Sequence, residues 1–251
     1  MVSWTTRPAT ATRPRSICVL VPALNEVENL APTVSAVSRA LSETVEAFEI
    51  IIVDDHCTDG TAQVADRLAA EIKNVRVFHN PITRGIGYAY ILGFENTTCS
   101  HFVYIPGDNT WPYLSCRKLF SALRQTDIVT SYAINPEVRP LSRRLLSPFY
   151  TYCLNLLFGH KMRYYNGLTI YPVSFLRARP VTTFGFAFQA EALLKALAGG
   201  LSCSEIGLPI DERAAGSSKA ISLRNIASVI ATILRLRWEL RASIARRDSS
   251  R

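Results

Sequence analysis

Two periods alternate along the first half of the chain. Ile17-Cys-Val-Leu-Val21 is a continuous apolar, β-branched run that stops at Pro22, which predicts a strand buried on both faces. Val34, Val37 and Leu41 then recur at helical spacing. Ile50-Ile-Ile-Val53 is a second buried strand, closed by the turn-forming Asp54-Asp55-His-Cys-Thr-Asp-Gly60. A helix is predicted from Thr61 to Ile72, with Val64, Leu68 and Ile72 four apart. Val75-Arg-Val-Phe78 and Phe102-Val-Tyr-Ile105 read as strands three and four, and Ile128-Val129 as the start of a fifth. Strands that alternate with helices predict an α/β chain with a mostly parallel, largely doubly wound sheet.

The second half is less regular. Leu141 to Phe158 and Phe188 to Leu197 have helical spacing, and Thr169-Ile-Tyr171 is extended. From Ile221 to Ala245, apolar residues at Ile226, Val229, Ile230, Ile233, Leu236 and Leu240 share the segment with Arg235, Arg237, Arg241 and Trp238. Its apolar core is far short of the roughly 20 residues that span a bilayer. The pattern fits either a helix lying on a membrane surface or a helix that docks on the sheet.

Charge sharpens this picture. The net charge of +8 sits at the ends: Arg7, Arg13 and Arg15 precede Ser16 without an acid, and seven arginines from Arg224 onward face only Glu239 and Asp248. The body between is neutral, which argues against a nucleic-acid face and leaves an acidic surface met mainly at the C-terminus. The expected organisation is a disordered basic tail over 1–16, one domain over 17–222, and an amphipathic helix with a basic tail over 223–251. Six scattered cysteines without a C-x-x-C pair read as reduced thiols in a cytosolic protein, peripheral on the membrane if the last helix touches lipid. Four scattered histidines offer no structural zinc site, and the start lacks a secretory h-region.

In open α/β sheets, ligands bind beyond the carboxyl ends of the strands. Polar clusters fall at those positions: Pro22-Ala-Leu-Asn-Glu26, Asp54-Asp55 with Asp59-Gly60-Thr61, Arg84-Gly-Ile-Gly87 with Ala89, and Pro106-Gly107-Asp108-Asn109. One carboxylate after a strand is often a helix cap. Four clusters, each directly after a predicted strand, point to a ligand site.

Together V-P-A-L-N-E, V-D-D-x-x-x-D-G-T, R-G-x-G-x-A and P-G-D-N resemble the family 2 glycosyltransferases of GT-A fold. The nearest subgroup is the dolichol- and polyprenyl-phosphate sugar synthases, over about Ile17 to Ser222. The resemblance implies a single Rossmann-like sheet flanked by helices and a nucleotide diphosphate sugar as donor. It implies base and ribose contacts from Pro22, Ala23, Leu24, Glu26 and Asp55, with Asp54 a neighbouring contact or loop support, and donor-side roles for Arg84, Gly85 and Gly107. Carboxylates that accept from a base N–H or a ribose hydroxyl make strong, charge-assisted bonds.

The metal motif departs from the family. The usual D-x-D has Pro106 at its first position, so Asp108 alone remains to hold Mg²⁺ or Mn²⁺, with Thr110 as a further oxygen. Mg²⁺ takes one or two carboxylates plus substrate phosphates, so one Asp still makes a workable site. Arg139, Arg143 and Ser147 resemble the Arg and Ser that meet the acceptor phosphate. Asn166 and Glu191 match acceptor-side positions. Arg213-Ala-Ala-Gly-Ser-Ser-Lys219 resembles a segment near the donor diphosphate, which makes Arg213 and Lys219 candidates to stabilise the leaving group. The expected reaction is transfer of a sugar to a polyprenyl phosphate with anomeric inversion. A soluble hydroxyl acceptor is the alternative enzyme, and a non-catalytic nucleotide-sugar-binding scaffold is the alternative that the missing Asp raises.

Overall fold

A computed structural model describes residues 16–123, 126–185, 187–212 and 223–248. The expected tail therefore lies outside the described residues apart from Ser16, as do Arg213 and Lys219. The strands are β1 (Ser16–Ala23), β2 (Ala47–Asp54), β3 (Val75–His79), β4 (His101–Tyr104), β5 (Ile128–Ala133), β6 (Thr169–Pro172) and β7 (Cys203–Leu208). The helices are α1 (Leu30–Thr44), α2 (Thr61–Glu71), α3 (Ile86–Glu95), α4 (Tyr113–Ser121), α5 (Leu141–Phe158), α6 (Val173–Ala178), α7 (Phe188–Ala198) and α8 (Leu223–Asp248).

All seven strands join one sheet in the order β3-β2-β1-β4-β6-β5-β7. β1 pairs parallel with β2 and β4, β2 with β3, and β5 with β7. Only β6 runs antiparallel, against both β4 and β5. The carboxyl ends of six strands and the start of β6 therefore share one edge.

Side chains alternate across the pleat and so divide the core in two. Ile17, Val19, Val21, Ile50, Ile52 and Val103 pack with α1, α2 and α4 on one face. Cys18, Leu20, Ile51, Val53, Phe102 and Tyr104 pack with α3, α5, α6, α7 and α8 on the other. Both layers are needed because the central strands are apolar throughout, and each fully buried Ile or Val contributes about 1.5–3 kcal/mol.

The elements expected from periodicity form at close to their expected bounds, but α3, α4, α6 and β7 escape that reading. α3 is apolar nearly all round because the sheet lies on one side and Gly87 and Phe94 face other protein, so it has no amphipathic stripe. β7 carries Ser204, Glu205 and Gly207 at the sheet edge and lacks a buried strand's apolar run. α8 meets the expectation of a helix that docks on the body. Thr232, Ile233 and Leu236 are buried against the body, while Ile230, Leu234 and Trp238 on its other side are exposed. No helix among the described residues is long and apolar enough to cross a membrane. All six cysteines are free thiols.

Candidate active site

The loops beyond the strand ends are held in strained conformations. Among the described residues, three non-glycine residues have positive φ: Asn25 (60°) after β1, His56 (67°) after β2 and Asn109 (56°) after β4. Such residues persist only where surrounding bonds over-determine them, and they cluster at functional sites. The Asn25 amide oxygen accepts from Thr58 N at 2.9 Å, and Asn109 N donates to the Thr33 hydroxyl at 3.0 Å.

On the donor side the loops brace one another through backbone. The Ala23 carbonyl accepts from Asp55 N at 3.0 Å, and Pro22 O accepts from Gly107 N at 3.3 Å. A Cβ on Gly107 would stand 3.0 Å from that same Pro22 oxygen, which explains glycine in the P-G-D-N segment. Glu26 N donates to the Thr61 hydroxyl at 2.8 Å, and the Glu26 carboxylate accepts from Asn29 at 2.7 Å. Pro22, Leu24 and Glu26 remain partly open, whereas Ala23 is buried.

The two adjacent aspartates separate in role. Asp54 is a loop support: its carboxylate accepts from Cys57 N at 2.9 Å and meets His79 Nδ1 at 2.9 Å. Burial alone would raise its pKa, but the bonds from Cys57 and His79 outweigh this and hold it below the ordinary value. Burial, reinforced by Asp54, pushes the Cys57 thiol up to about 12, so that thiol is no nucleophile. Asp55 is also buried. It accepts from Asn80 Nδ2 (2.8 Å), Arg84 N (2.8 Å) and Gly85 N (2.9 Å), which shapes the turn where Gly85 adopts φ +89°. An ionised carboxylate has about four acceptor positions, so roughly one is left for a ligand. The Arg84 guanidinium stacks over Tyr88 at 4.7 Å.

Gly87 explains the second glycine of the R-G-x-G run. Its N–H donates to Phe184 O at 3.0 Å, and a Cβ there would stand 2.3 Å from Thr183 O. The donor-side loop thus rests directly on the 183–184 backbone.

A cavity of about 570 Å³ opens at the same sheet edge. Its lining includes Asp108, Thr110, Asp211 and Glu212 together with Arg139, Arg143 and Asn166, and also Tyr104, Trp111 and Gln189. Asp108 Oδ1 accepts from Thr110 N (3.3 Å) and the Thr110 hydroxyl (2.8 Å). Asp211 N donates to Thr110 O at 2.9 Å, so the end of β7 is laced to the loop after β4. Arg139 reaches the Tyr164 hydroxyl at 3.4 Å. The Asn166 side-chain oxygen is buried without a hydrogen-bond partner.

The carboxylates in this lining suit a divalent cation shared with a ligand. Among the described residues both Asp108 bonds go to Oδ1, which leaves Oδ2 to a ligand, and two further carboxylates line the same space. Among the described residues no cluster of three His, Cys, Asp or Glu side chains makes a ready cage, so phosphate oxygens would have to complete the shell. The residues present fit an ion held that way.

The structure brings Asp108, Arg139, Arg143 and Asn166 together. Ser147 follows Arg143 by one turn on α5 but is not part of the lining. Glu191 is a correction. Its side chain is 0% exposed and cannot meet an acceptor. Instead it accepts from Thr182 N (2.9 Å), the Thr182 hydroxyl (3.1 Å), Thr183 N (3.1 Å), Lys195 Nζ (2.6 Å) and Arg235 (3.3 Å). It therefore holds the segment on which Gly87 rests and fastens α8 to it. Tyr104, Trp111, Gln189, Asp211 and Glu212 were missed from sequence. Asp211 and Glu212 follow a strand end as the other clusters do, and recognising β7 would have exposed them.

The chain is 27% identical to the undecaprenyl-phosphate mannosyltransferase of Micrococcus luteus, over 91% of this chain and 98% of that one. It is 27% identical to the polyprenol monophosphomannose synthase of Mycolicibacterium smegmatis, covering 84% of this chain and 83% of that one. It is 29% identical to glycosyltransferase AglD of Haloferax volcanii over 96% of this chain, but spans only 40% of that relative. Among solved structures, the glucosyl-3-phosphoglycerate synthase of Mycobacterium tuberculosis, in complex with Mn²⁺, UDP-glucose and phosphoglyceric acid, superimposes with a TM-score of 0.66. That match covers 89% of this chain and 80% of the other at 21% identity, a likeness of fold that is the GT-A architecture. Residues 18–179 match the model of glycosyl transferase family 2, and the chain belongs to that family of glycosyltransferases.

Proposed function

We propose that this glycosyltransferase moves a hexosyl group from a nucleotide diphosphate sugar to the phosphate of a polyprenyl phosphate, with inversion at the anomeric carbon. The observation that carries the proposal is one cavity lined by three carboxylates and two arginines at the carboxyl ends of the strands. The names of the Micrococcus and Mycolicibacterium relatives support a polyprenyl acceptor.

A phosphate oxygen of the acceptor would attack the anomeric carbon from the face opposite the leaving group. The bond to the diphosphate breaks, and its electron pair leaves with the nucleoside diphosphate. The acceptor is already an anion, so no general base is needed. Arg139 and Arg143 would bind and orient it. Pro22, Ala23, Leu24 and Glu26 would hold base and ribose, with Asp55 acting mainly through the Arg84-Gly85 turn. Asp108 would hold Mg²⁺ or Mn²⁺, which when bound supplies charge neutralisation at the diphosphate. Arg213 and Lys219 would add donors to the same oxygens.

A soluble hydroxyl acceptor is the second reading. It is favoured by Asp211 and Glu212 in the cavity, which offer a base, and by the phosphoglyceric acid in the Mycobacterium tuberculosis complex. Labelled GDP-mannose, UDP-glucose and related donors, incubated with Mg²⁺ and detergent-dispersed polyprenyl phosphate, separate the two. Label entering the organic phase at a rate nearly flat between about pH 6.5 and 8.5 supports the phosphate acceptor. Nucleotide release without lipid labelling, following one carboxylate's titration, moves the acceptor to a hydroxyl.

A further inference from the structure

Burial of Ile233 and Leu236 already accounts for the docking of α8 on the body. A polar cluster on the same helix does something else: it fixes the position of a backbone. The Arg235 guanidinium donates to the hydroxyls of Thr182 and Thr183, the latter at 3.0 Å, and to the Glu191 carboxylate at 3.3 Å. Glu191 in turn accepts from the N–H groups of Thr182 (2.9 Å) and Thr183 (3.1 Å). One residue of α8 therefore grips both threonine side chains and, through one carboxylate, both of their amides. Ser228, two turns before Arg235, closes on the next residues, since a Cβ on Gly185 would stand 3.5 Å from its hydroxyl.

The gripped backbone supports the loop after β3. Phe184 O accepts from Gly87 N at 3.0 Å and lies 3.2 Å from where a Cβ on Gly85 would stand. With Thr183 O only 2.3 Å from a Cβ on Gly87, the approach leaves no slack. Residues 183–184 cannot move away from α3 without opening the Gly87 bond. The loop continues the chain of contacts: Arg84 N and Gly85 N donate to the Asp55 carboxylate at 2.8 and 2.9 Å, and Asp55 N donates to Ala23 O at 3.0 Å. Tyr88 stands edge-on to Phe184 at 6.3 Å and carries the Arg84 guanidinium over its face. From Arg235 to the loop after β1, each step is a hydrogen bond or a close contact, and close-packed contacts of this kind transmit a displacement.

We propose that Arg235 is a positioning residue for the donor nucleotide. With α8 seated, it clamps residues 182–184 under α3 and so presets the Arg84-Gly85 turn and the loop after β1. With α8 displaced, the turn loosens and nucleotide affinity falls. Linkage makes the effect reciprocal, so bound nucleotide fastens α8 in its seat. The consequence for the nucleotide rests on the reading of these loops as the donor site, but the clamp itself is testable without a ligand.

The experiment uses the full chain and reads two quantities. Hydrogen exchange with mass spectrometry follows the amides of residues 84–87, and titration calorimetry gives the Kd of GDP and of UDP, each with Mn²⁺. Arg235→Met keeps the apolar stem and removes the fork. It should speed that exchange and weaken nucleotide binding by about tenfold each, within the ordinary span of coupling between two sites. Arg235→Lys restores the charge without the two-armed reach and should weaken binding by only about threefold. Arg237→Met makes the same charge change about 200° round the helix and should alter neither reading. Val37→Ala, in the opposite core layer, should lower the melting temperature and leave both readings unchanged, which separates positioning from stability. Saturating nucleotide should slow exchange in α8 of the wild-type chain but not of Arg235→Met. Unchanged exchange at residues 84–87 in Arg235→Met overturns the proposal. So does faster exchange there with wild-type nucleotide affinity, or a loss of affinity in Val37→Ala as large as in Arg235→Met. If exchange responds as expected but the wild-type chain binds neither nucleotide, the clamp stands and the reading of these loops as a donor site falls.

Discussion

Replacing Glu191 by Ala removes the anion from a site with no access to water and five donors around it. Lys195, only 14% exposed, would keep one bond, to Pro180 O at 2.7 Å, and lose its counter-charge. Thr183 N, in a buried residue, would lose its acceptor, while Thr182 and Arg235 lie near enough to solvent to recover bonds with water. Breaking a buried pair costs about 3–5 kcal/mol, and the solvent access of Arg235 places this case near 3–4 kcal/mol. At about 2–4 °C per kcal/mol for a domain of this size, the melting temperature should fall by roughly 6–16 °C. Glu191→Gln should recover only part of this, because its NH₂ group must face donors. Differential scanning calorimetry of Glu191→Ala, Lys195→Met and the double variant gives the coupling, expected at about 1–3 kcal/mol. The pH dependence adds a sign. Burial raises the Glu191 pKa, but Lys195 and the bonds from Thr183 and Thr182 outweigh it, leaving it below the ordinary 4.5. The stability from the charged form is therefore present above pH 4.5 and lost as pH falls through the lower folded value, a slope that Glu191→Gln should remove. A melting shift under about 2 °C with additive single and double variants would refute the network's role.

Asp108→Ala should reduce turnover by at least about a hundredfold and abolish nucleotide-dependent Mn²⁺ binding in calorimetry, with the melt unchanged, because among the described residues Asp108 bonds only to its neighbour Thr110. Gly87→Ala drives a Cβ to 2.3 Å from Thr183 O and should cost about 1–3 kcal/mol while weakening nucleotide binding. Gly159→Ala, where the same atom meets nothing within 4 Å, should cost only about 1 kcal/mol for its φ of +72° and leave binding intact. His79 lies between Asp54 (2.9 Å) and Asp66 (3.0 Å), and the Asp54 bond, then Asp66, raises its pKa above 6.5. Its contribution is present below pH 6.5 and lost as pH rises through the folded value, so an NMR titration of the imidazole should show a midpoint above 6.5 that falls in Asp66→Asn.

Much of the fold was legible because burial leaves a periodic trace. β1 and β2 are buried on both faces and read as unbroken apolar runs; α1 and α2 have one wet side and read as stripes. Where burial is not one-sided the trace vanishes, as in α3, wrapped by protein, and β7, half-exposed at an edge. The loop clusters were legible for a different reason: backbone strain and close approach demand particular residues. Gly85, Gly87 and Gly107 stand where a positive φ or a neighbouring carbonyl excludes a side chain, and Asn25 and Asn109 where a left-handed backbone favours Asn.

Local chemistry alone thus settled which strands are central, where the loops turn, and that the polar clusters share one edge of a parallel sheet. It left open how each polar atom is used, because a carboxylate's role depends on donors distant in the chain. Asp54 and Asp55 are identical neighbours in sequence, yet one is a support for Cys57 and His79 and the other shapes the Arg84-Gly85 turn. Glu191 looked like a ligand and is a buried brace, since Thr182, Lys195 and Arg235 converge on it only after α7 and α8 have packed. The cavity itself was likewise invisible, because Asp108, Arg143, Asn166 and Glu212 meet there only when β4, α5, β6 and β7 come together at one edge.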